Sequence, residues 1–337
     1  MYSHSIEMFA TKSMHDAVTE RSPSYAILAI DSEDRFKDYD EARGTTEGDY
    51  NSSPYNFQIT KNESMMNGFF TRLALTEINF PWMIPNINGR TYEVGFEYQI
   101  GAAPPVSVLL DIDYGFYKPS EIALELQTLI RALDPALATF NMVYGDSLSL
   151  ANAGHIPVFS YSCPLNVTCA FLPLPNNDPS YPFPATVKQL FDLLGFTAEN
   201  IILDAAGSGR ATYAQAIRYV DVVCSQLTYN QALKDTMSQT TARDTLCRLY
   251  LGDGPYTGTS TMDPTDPEFC PPGCAPFTIY RQFTNPKFIR WLPNQPVQGN
   301  LVFEVYDDNG ERLDNIGALG YETDGGNWSM TLLVSED

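Results

Sequence analysis

The residues best suited to chemistry in this chain are its six cysteines. Cys270 and Cys274 enclose the sequence Pro-Pro-Gly, and a close pair of this kind is half of a typical zinc site. No second pair of cysteine or histidine lies at ligand spacing, so we predict neither a metal nor any other cofactor. The same pair could instead close a local disulfide in an oxidising environment. Cys224 and Cys247 fall in predicted strands, where a buried thiol acts as a small hydrophobic side chain.

Candidates for catalysis are few. Of the three histidines, His155 is the one outside the N-terminal segment, and no Gly-x-Ser-x-Gly turn is present to partner it. Carboxylate pairs at Asp111 and Asp113, or at Asp307 and Asp308, could serve glycoside hydrolysis. Their positions favour a backbone role, because the first pair shares one face of a strand and the second leads into a hairpin turn. We therefore predict no catalytic residue and no enzyme activity.

The charge balance limits the partners of the chain. It has 41 acidic and 20 basic residues and a formal net charge of -21. Such an excess opposes binding to phosphate backbones, so nucleic acid is not expected as a main partner. No stretch approaches the ~18 apolar residues of a membrane span. The first residues lack the basic-then-apolar order of a signal peptide, so we expect synthesis in the cytosol and no membrane span.

One cluster of basic and aromatic residues could form a contact. Lys287, Arg290 and Trp291 lie in a short aromatic and basic segment between Pro286 and Pro293. Prolines cannot donate to a sheet ladder, which places the segment at a sheet edge or corner. The cluster could stack on a sugar or a nucleic acid. In so acidic a chain we favour a role in pinning a sheet edge or a subunit contact.

The stretch 277–311 has the most regular pattern, and it predicts an antiparallel sheet. Side chains alternate between two faces over 277–283, and the β-rich run 301–306 is closed by Asn309-Gly310, a pair that tolerates positive φ at both centres of a tight turn. Similar strand patterns recur along the chain. They fall at 25–32, 55–60, 69–80, 92–98, 106–114, 156–174, 219–227 and 246–251.

Two helices interrupt the strands. One is predicted over 119–133, because Pro119 suits a first helical turn and an apolar face follows it. A shorter one is predicted from Thr186, as N-cap, to Gly195. The fold class is therefore all-β: a single jelly-roll β-sandwich with two short helices in loops and an N-terminal arm.

The domain organisation follows from the same pattern. Residues 1–52 are predicted to hold the arm and a leading strand, and the arm itself covers 1–22, where no face suited to burial recurs. Residues 53–337 are predicted to form the jelly-roll domain. A loop rich in proline and glycine at 252–276 is expected to be exposed rather than to divide two domains.

A family resemblance is carried by the C-terminal half of the chain. The runs are Arg281-Gln282-Phe283, Pro286-Lys287, Ile289-Arg290-Trp291, Glu304 to Gly310 and Met330 to Glu336. Together they resemble the penton or minor capsid proteins of virophages, polinton-like viruses and large eukaryotic DNA viruses. The family also shows an apolar strand that ends in Asp-Ser with an arginine nearby, which corresponds here to Asp31, Ser32 and Arg35.

The resemblance implies a structural role in a virion. Members of the family are jelly rolls, and their vertex proteins pair with double-jelly-roll major capsid proteins in icosahedral shells. The implied function is a penton: a homopentamer at the fivefold vertices, in contact with the major capsid protein and other minor capsid proteins. Two alternatives remain open at this point. One is a minor protein that cements the shell at other positions, and the other is a carbohydrate-binding jelly roll.

Overall fold

The computed structural model describes twelve segments of the chain. They are residues 25–36, 53–60, 72–145, 158–174, 188–197, 200–209, 217–228, 245–253, 274–286, 288–290, 300–313 and 326–335. Strands dominate these segments, and every pairing between them is antiparallel.

Nine of the described strands form two facing sheets of a sandwich. They are β1 (Tyr25–Asp31), β2 (Asn56–Thr60), β3 (Arg72–Trp82), β10 (Tyr219–Val223), β11 (Thr245–Tyr250), β12 (Phe277–Gln282), β13 (Phe288–Arg290), β14 (Asn300–Asp307) and β15 (Ser329–Ser335). Sheet 1 has the order β1-β15-β3-β12, with β13 also paired to β3. Sheet 2 has the order β11-β10-β14-β2.

This strand order is that of a jelly roll. In each sheet the neighbours come from distant parts of the sequence, because the chain crosses from one sheet to the other after nearly every strand. The first strand pairs with the last, and β2 pairs with β14, so the N-terminal and C-terminal halves interleave. Two four-stranded paths wound in this way are the double Greek key of a jelly roll. The predicted all-β jelly-roll fold is confirmed.

Six further strands lie between β3 and β10. They are β4 (Glu93–Ile100), β5 (Val106–Asp111), β6 (Asn141–Gly145), β7 (Val158–Ser162), β8 (Val167–Leu172) and β9 (Ala206–Ser208). They form two sheets of their own, with the orders β5-β4-β8 and β6-β7-β9. We call residues 83–218 the insertion. The sequence patterns identified strands here but could not separate them from those of the sandwich. The division into 1–52 and 53–337 stays a prediction.

The helix predicted over 119–133 is confirmed. Helix α1 (Pro119–Leu133) buries Ile122, Leu126 and Ile130. At its start the backbone N–H of Lys118 donates to the Glu121 carboxylate at 2.7 Å, which satisfies a group that a helix end leaves open.

The second predicted helix is shorter than expected. Helix α2 covers Leu190–Leu193, with Gln189 as its N-cap residue, whereas the predicted cap, Thr186, lies outside the described residues. The Gln189 N–H donates to the Asp192 carboxylate at 3.0 Å, and its side-chain oxygen accepts from the Leu174 N–H at 2.8 Å. A third short helix, α3 (Ser225–Thr228), follows β10.

The sandwich core is centred on Trp328. Its ring packs against Phe57, Phe80 and Phe303, with centroid distances of 5.5, 6.1 and 6.0 Å. The buried indole N–H donates to the carbonyl of Pro54 at 2.6 Å. Aromatic rings bury more area than any other side chain, and a buried indole needs this partner. Trp328 thereby ties both sheets to the segment before β2.

The start of the sandwich is fastened to its end by Arg35. The Arg35 guanidinium donates to the carbonyl of Ser32 at 2.6 Å and to the side chain of Asn327. The backbone N–H of Ser32 donates to the carbonyl of Trp328 at 2.9 Å. The Asp-Ser and arginine pattern that marked the resemblance thus has a structural reason: it closes the pairing of β1 with β15.

The packing of Trp328 predicts a large stability effect. Trp328→Ala should lower the free energy of unfolding by about 3–5 kcal/mol, because it leaves a cavity between both sheets and removes the partner of the Pro54 carbonyl. Chemical denaturation followed by fluorescence and circular dichroism measures this. Leu165→Ala, at a side chain that is 91% exposed, is the control and should change stability by less than about 0.5 kcal/mol. Equal stability of the two variants would contradict this packing.

Candidate assembly surface

Sheet 1 carries apolar side chains on the face that points away from the core. On β15, Met330, Leu332 and Val334 are buried against the core, so Leu333 between them lies on the opposite face. Leu333 is paired with Ile27 of β1 and with Ala74 of β3, and Ala74 is paired with Phe288 of β13. We call Ile27, Leu333, Ala74 and Phe288 the apolar row, which crosses four strands.

The ends of the apolar row are exposed and its middle is covered. Ile27 is 73% exposed and Phe288 is 42% exposed, whereas Ala74 is fully buried. Arg72 lies beside the row, with its guanidinium carbon 6.0 Å from the Phe288 ring centroid. Tyr25, two residues from Ile27 on β1, is also strongly exposed. The face therefore offers large apolar side chains and a cation.

A carboxylate lies farther along the same sheet. Tyr280 of β12 is exposed and is paired with Asn79 of β3. Its hydroxyl makes a hydrogen bond with Glu77, and this contact, with desolvation, raises the pKa of Tyr280. Glu77 is thus already engaged by a side chain of this sheet, and the apolar row itself is made of uncharged residues.

Strand β1 forms an edge of sheet 1. Among the described strands it pairs with β15 alone. Natural proteins usually protect an edge strand with charge, proline or a covering element, because its unpaired backbone groups attract another chain. Here the edge carries the exposed Tyr25 and Ile27 instead. An exposed apolar edge that continues into the exposed end of the apolar row is typical of a contact surface.

The predicted contact cluster falls mostly outside the described residues. This is true of Lys287 and Trp291. The backbone of Arg290 is in β13, where it is paired with Arg72. Strand β13 thus holds both Arg290 and Phe288 of the apolar row, and it is paired with β3. That the three residues form a contact stays a prediction.

A second arrangement joins the insertion to the sandwich through Asp307 and Asp308. Asp307, the last residue of β14, forms an ion pair with Arg90, and the two side chains are 0% and 4% exposed. The other Asp307 oxygen accepts from the backbone N–H groups of Asn309 and Glu311, at 2.9 and 2.8 Å. The carboxylate therefore organises the turn after β14 as well as binding Arg90.

Asp308 binds two further cations. Its Oδ2 accepts from Arg218 Nε at 2.8 Å and lies 3.6 Å from Lys188 Nζ. The hydrogen bond with Asp308 raises the pKa of Arg218. Arg90 lies near the start of the insertion and Arg218 at its end. We call Asp307 and Asp308 the carboxylate clamp, because together they bind both ends of the insertion.

The hairpin turn differs in one respect from the sequence prediction. Positive φ occurs at Gly310, with φ of 94°, and not at Asn309. The turn is therefore not the tight type that needs positive φ at both centres. The Asp307 carboxylate fixes it instead, through the two N–H groups that it accepts. The prediction that Asp307 and Asp308 serve the backbone at a turn holds for Asp307, whereas the ion pairs of the two residues were not predicted.

In the part of the chain that the structure describes, the residues of the other candidate sites do not come together into a metal site. No group of three His, Cys, Asp or Glu residues there could hold a metal ion. His155 and Cys270 lie outside the described residues, and Cys274 is disulfide-bonded. No described helix is long and apolar enough to cross a bilayer.

The two cysteines assigned to strands differ in burial. Cys224 is fully buried immediately after β10, as expected of a small hydrophobic side chain, and Cys247 is half-buried within β11. Burial raises the pKa of both thiols to about 12. Both are therefore protonated at neutral pH and poor nucleophiles.

The burial of the Asp307–Arg90 pair predicts that this ion pair contributes strongly to the free energy of unfolding. Asp307→Asn keeps an oxygen for the turn but removes the charge that Arg90 needs, so the free energy of unfolding should fall by about 3–5 kcal/mol. Glu304→Gln is the matched control, since Glu304 lies on the same strand and its ion pair with Arg312 is partly exposed and should contribute about 0–1 kcal/mol. Urea titration of both variants measures the difference. A loss no larger for Asp307→Asn than for Glu304→Gln would refute the clamp.

The chain has likenesses among solved protein structures. No family model matches the chain, and no curated protein matches it. The chain is similar to the mavirus penton protein, known from a crystal structure of its selenomethionine-labelled form, with a TM-score of 0.45 and 13% identity. The match covers 94% of this chain and 100% of that one. A likeness at this level carries no argument about function, and the jelly roll rests on the strand order described above.

Proposed function

We propose that this chain is a structural capsid protein that forms the homopentamer at the fivefold vertices of an icosahedral shell. The observation that carries the proposal is the apolar row on a jelly-roll sheet of a chain whose net charge is -21. A soluble monomer gains nothing from large apolar side chains at a sheet edge, whereas a subunit of an assembly buries them.

Electrostatics favours this face as the contact. Five copies at -21 each repel one another, so a stable contact must avoid bringing carboxylates together. The apolar row has no charge, and Arg72 beside it is a cation. Two like-charged copies can therefore approach at this face at lower electrostatic cost than at an acidic one. Burial of Ile27, Leu333 and Phe288 then supplies the attraction.

Ring closure follows from symmetry. A contact that joins one surface to a different surface of the next copy repeats around an axis until it closes. A chain with one jelly roll can occupy each of five equivalent positions. The sequence resemblance to virophage-type penton and minor capsid proteins supports five rather than another number. It also suggests the neighbours in the shell: a double-jelly-roll major capsid protein and other minor capsid proteins.

The runner-up is a minor protein that cements the shell away from the vertices. It would use the same apolar row against a different neighbour and need not form a ring. A carbohydrate-binding jelly roll is less well supported. Such a site needs a continuous row of exposed aromatic rings with polar neighbours, whereas Tyr25 and Phe288 lie at opposite margins of sheet 1 with aliphatic side chains between them.

A charge substitution in the apolar row should prevent assembly. Ile27→Asp places a carboxylate in the proposed contact, and we expect the concentration needed for half assembly to rise at least about tenfold, equivalent to about 1.4 kcal/mol per contact. Native mass spectrometry and light scattering measure the pentamer fraction. Leu165→Asp is the matched control, because its side chain is exposed and apolar but lies in the insertion. Equal assembly of the two variants would remove the apolar row from the contact.

Salt should strengthen the ring. Screening shortens the range of repulsion between acidic copies from about 30 Å at 0.01 M ionic strength to about 8 Å at 0.15 M, while burial of apolar surface is not weakened. The pentamer fraction of the unmodified chain should therefore rise over this range. A fall would indicate a contact held by exposed ion pairs, and a monomer at every salt concentration would favour the cementing role.

A further inference from the structure

Two free thiols of the insertion lie on either side of one short backbone segment. Cys163 follows β7 and Cys169 lies within β8, and both are free cysteines. The Cys163 N–H donates to the carbonyl of Ala205 at 2.7 Å, and its thiol donates to the carbonyl of Asp204 at 3.5 Å. Cys169 exchanges two backbone hydrogen bonds with the same Asp204, at 2.9 and 3.0 Å.

The two side chains also meet. The Cys169 thiol makes a hydrogen bond with Cys163, and this contact, followed by desolvation, raises the pKa of Cys169. Cys169 is fully buried, whereas Cys163 is partly exposed. The pair is therefore asymmetric: one thiol is accessible from solvent, and its partner is protonated and sheltered behind it.

The two cysteines lie at strands of different sheets, so a bond between them would connect the sheets. Strand β7 belongs to the sheet β6-β7-β9, and β8 belongs to the sheet β5-β4-β8. The Cys169–Asp204 bridge and a hydrogen bond from the Phe171 N–H to the Asn200 carbonyl, at 3.2 Å, join the β8 strand to the segment that leads into β9. A covalent bond between the two cysteines would fix these sheets to each other.

We propose that Cys163 and Cys169 form a redox-sensitive site that closes to a disulfide and locks the two sheets of the insertion together. The oxidant is a small-molecule disulfide such as oxidised glutathione. This thiol chemistry follows from the fold of the insertion and is independent of the capsid role.

The reaction proceeds in two balanced steps. The Cys163 thiol loses its proton, and the thiolate attacks one sulfur of the small disulfide, which forms a mixed disulfide and releases one small thiolate. Cys169 then loses its proton and attacks Cys163 Sγ, which forms the protein disulfide and releases the second small thiolate. The two protons go to the released thiolates, so two electrons pass from the protein to the oxidant and two small thiols are produced.

The direction of this chemistry depends on the surroundings. A pool of reduced thiols keeps the pair open, and an oxidising medium closes it. The buried position of Cys169 protects the open pair from reaction with other proteins, because only Cys163 can be attacked from solvent. A protein folded under reducing conditions would thus gain its cross-link after transfer to an oxidising medium.

Peptide mapping of the full chain tests the site directly. The protein is incubated with oxidised glutathione, the remaining thiols are alkylated, and protease fragments are analysed by mass spectrometry. We expect a cross-linked peptide that joins Cys163 to Cys169 with the loss of two hydrogen atoms, reversed by reduced glutathione. Thermal unfolding of the oxidised chain should occur roughly 2–4 °C higher than that of the reduced chain.

Single-cysteine variants serve as controls. Cys163→Ser and Cys169→Ser should each abolish the cross-linked peptide and the rise in melting temperature. Cys169→Ser should in addition stop at the mixed disulfide with glutathione on Cys163. Cys224→Ser, which removes a buried thiol elsewhere, should retain both effects. If the unmodified chain reacts with glutathione at Cys163 but never forms the internal cross-link, or if neither cysteine reacts, the proposal is wrong.

Discussion

Two buried carboxylates at the end of β14 hold the architecture together. A jelly roll that carries a long insertion between its third and fourth sandwich strands must keep both ends of that insertion in place. Asp307 binds Arg90 near the start, and Asp308 binds Arg218 at the end. Charges buried so deeply are costly unless they are paired, so the sandwich and the insertion become mutually dependent. The same Asp307 also fixes the turn after β14, which links the clamp to strand pairing in sheet 2.

The net charge of the chain limits which parts of its surface can contact another copy. With a net charge of -21, most of the surface favours solubility and separation between copies. Among the described residues the apolar row is one exception: its exposed ends, Ile27 and Phe288, belong to strands that are far apart in the sequence, and sheet pairing brings them onto one face. The jelly-roll topology therefore creates the proposed contact surface, and the acidic excess favours contact at such an uncharged face.

Periodicity was sufficient to predict some of this architecture. The alternation over 277–283 and the apolar face of α1 gave correct elements, since both depend on local sequence. Partners distant in the sequence could not be predicted. Asp307 and Arg90 are 217 residues apart, and nothing local to either residue indicates the pair. The separate sheets of the insertion were missed for the same reason, because a strand pattern shows which face is buried but not which strand lies next to it. The apolar row could not be predicted either, because its members come together only through the register of four paired strands.

We propose that this chain occupies the fivefold vertices of an icosahedral shell. Cryo-electron microscopy of the intact particle tests it most directly, because the density reports position and copy number together. We expect five copies around each fivefold axis, with the face that holds Ile27, Leu333 and Phe288 buried against the adjacent copy. Density for this chain away from the fivefold axes, with a different protein on them, would contradict the vertex assignment.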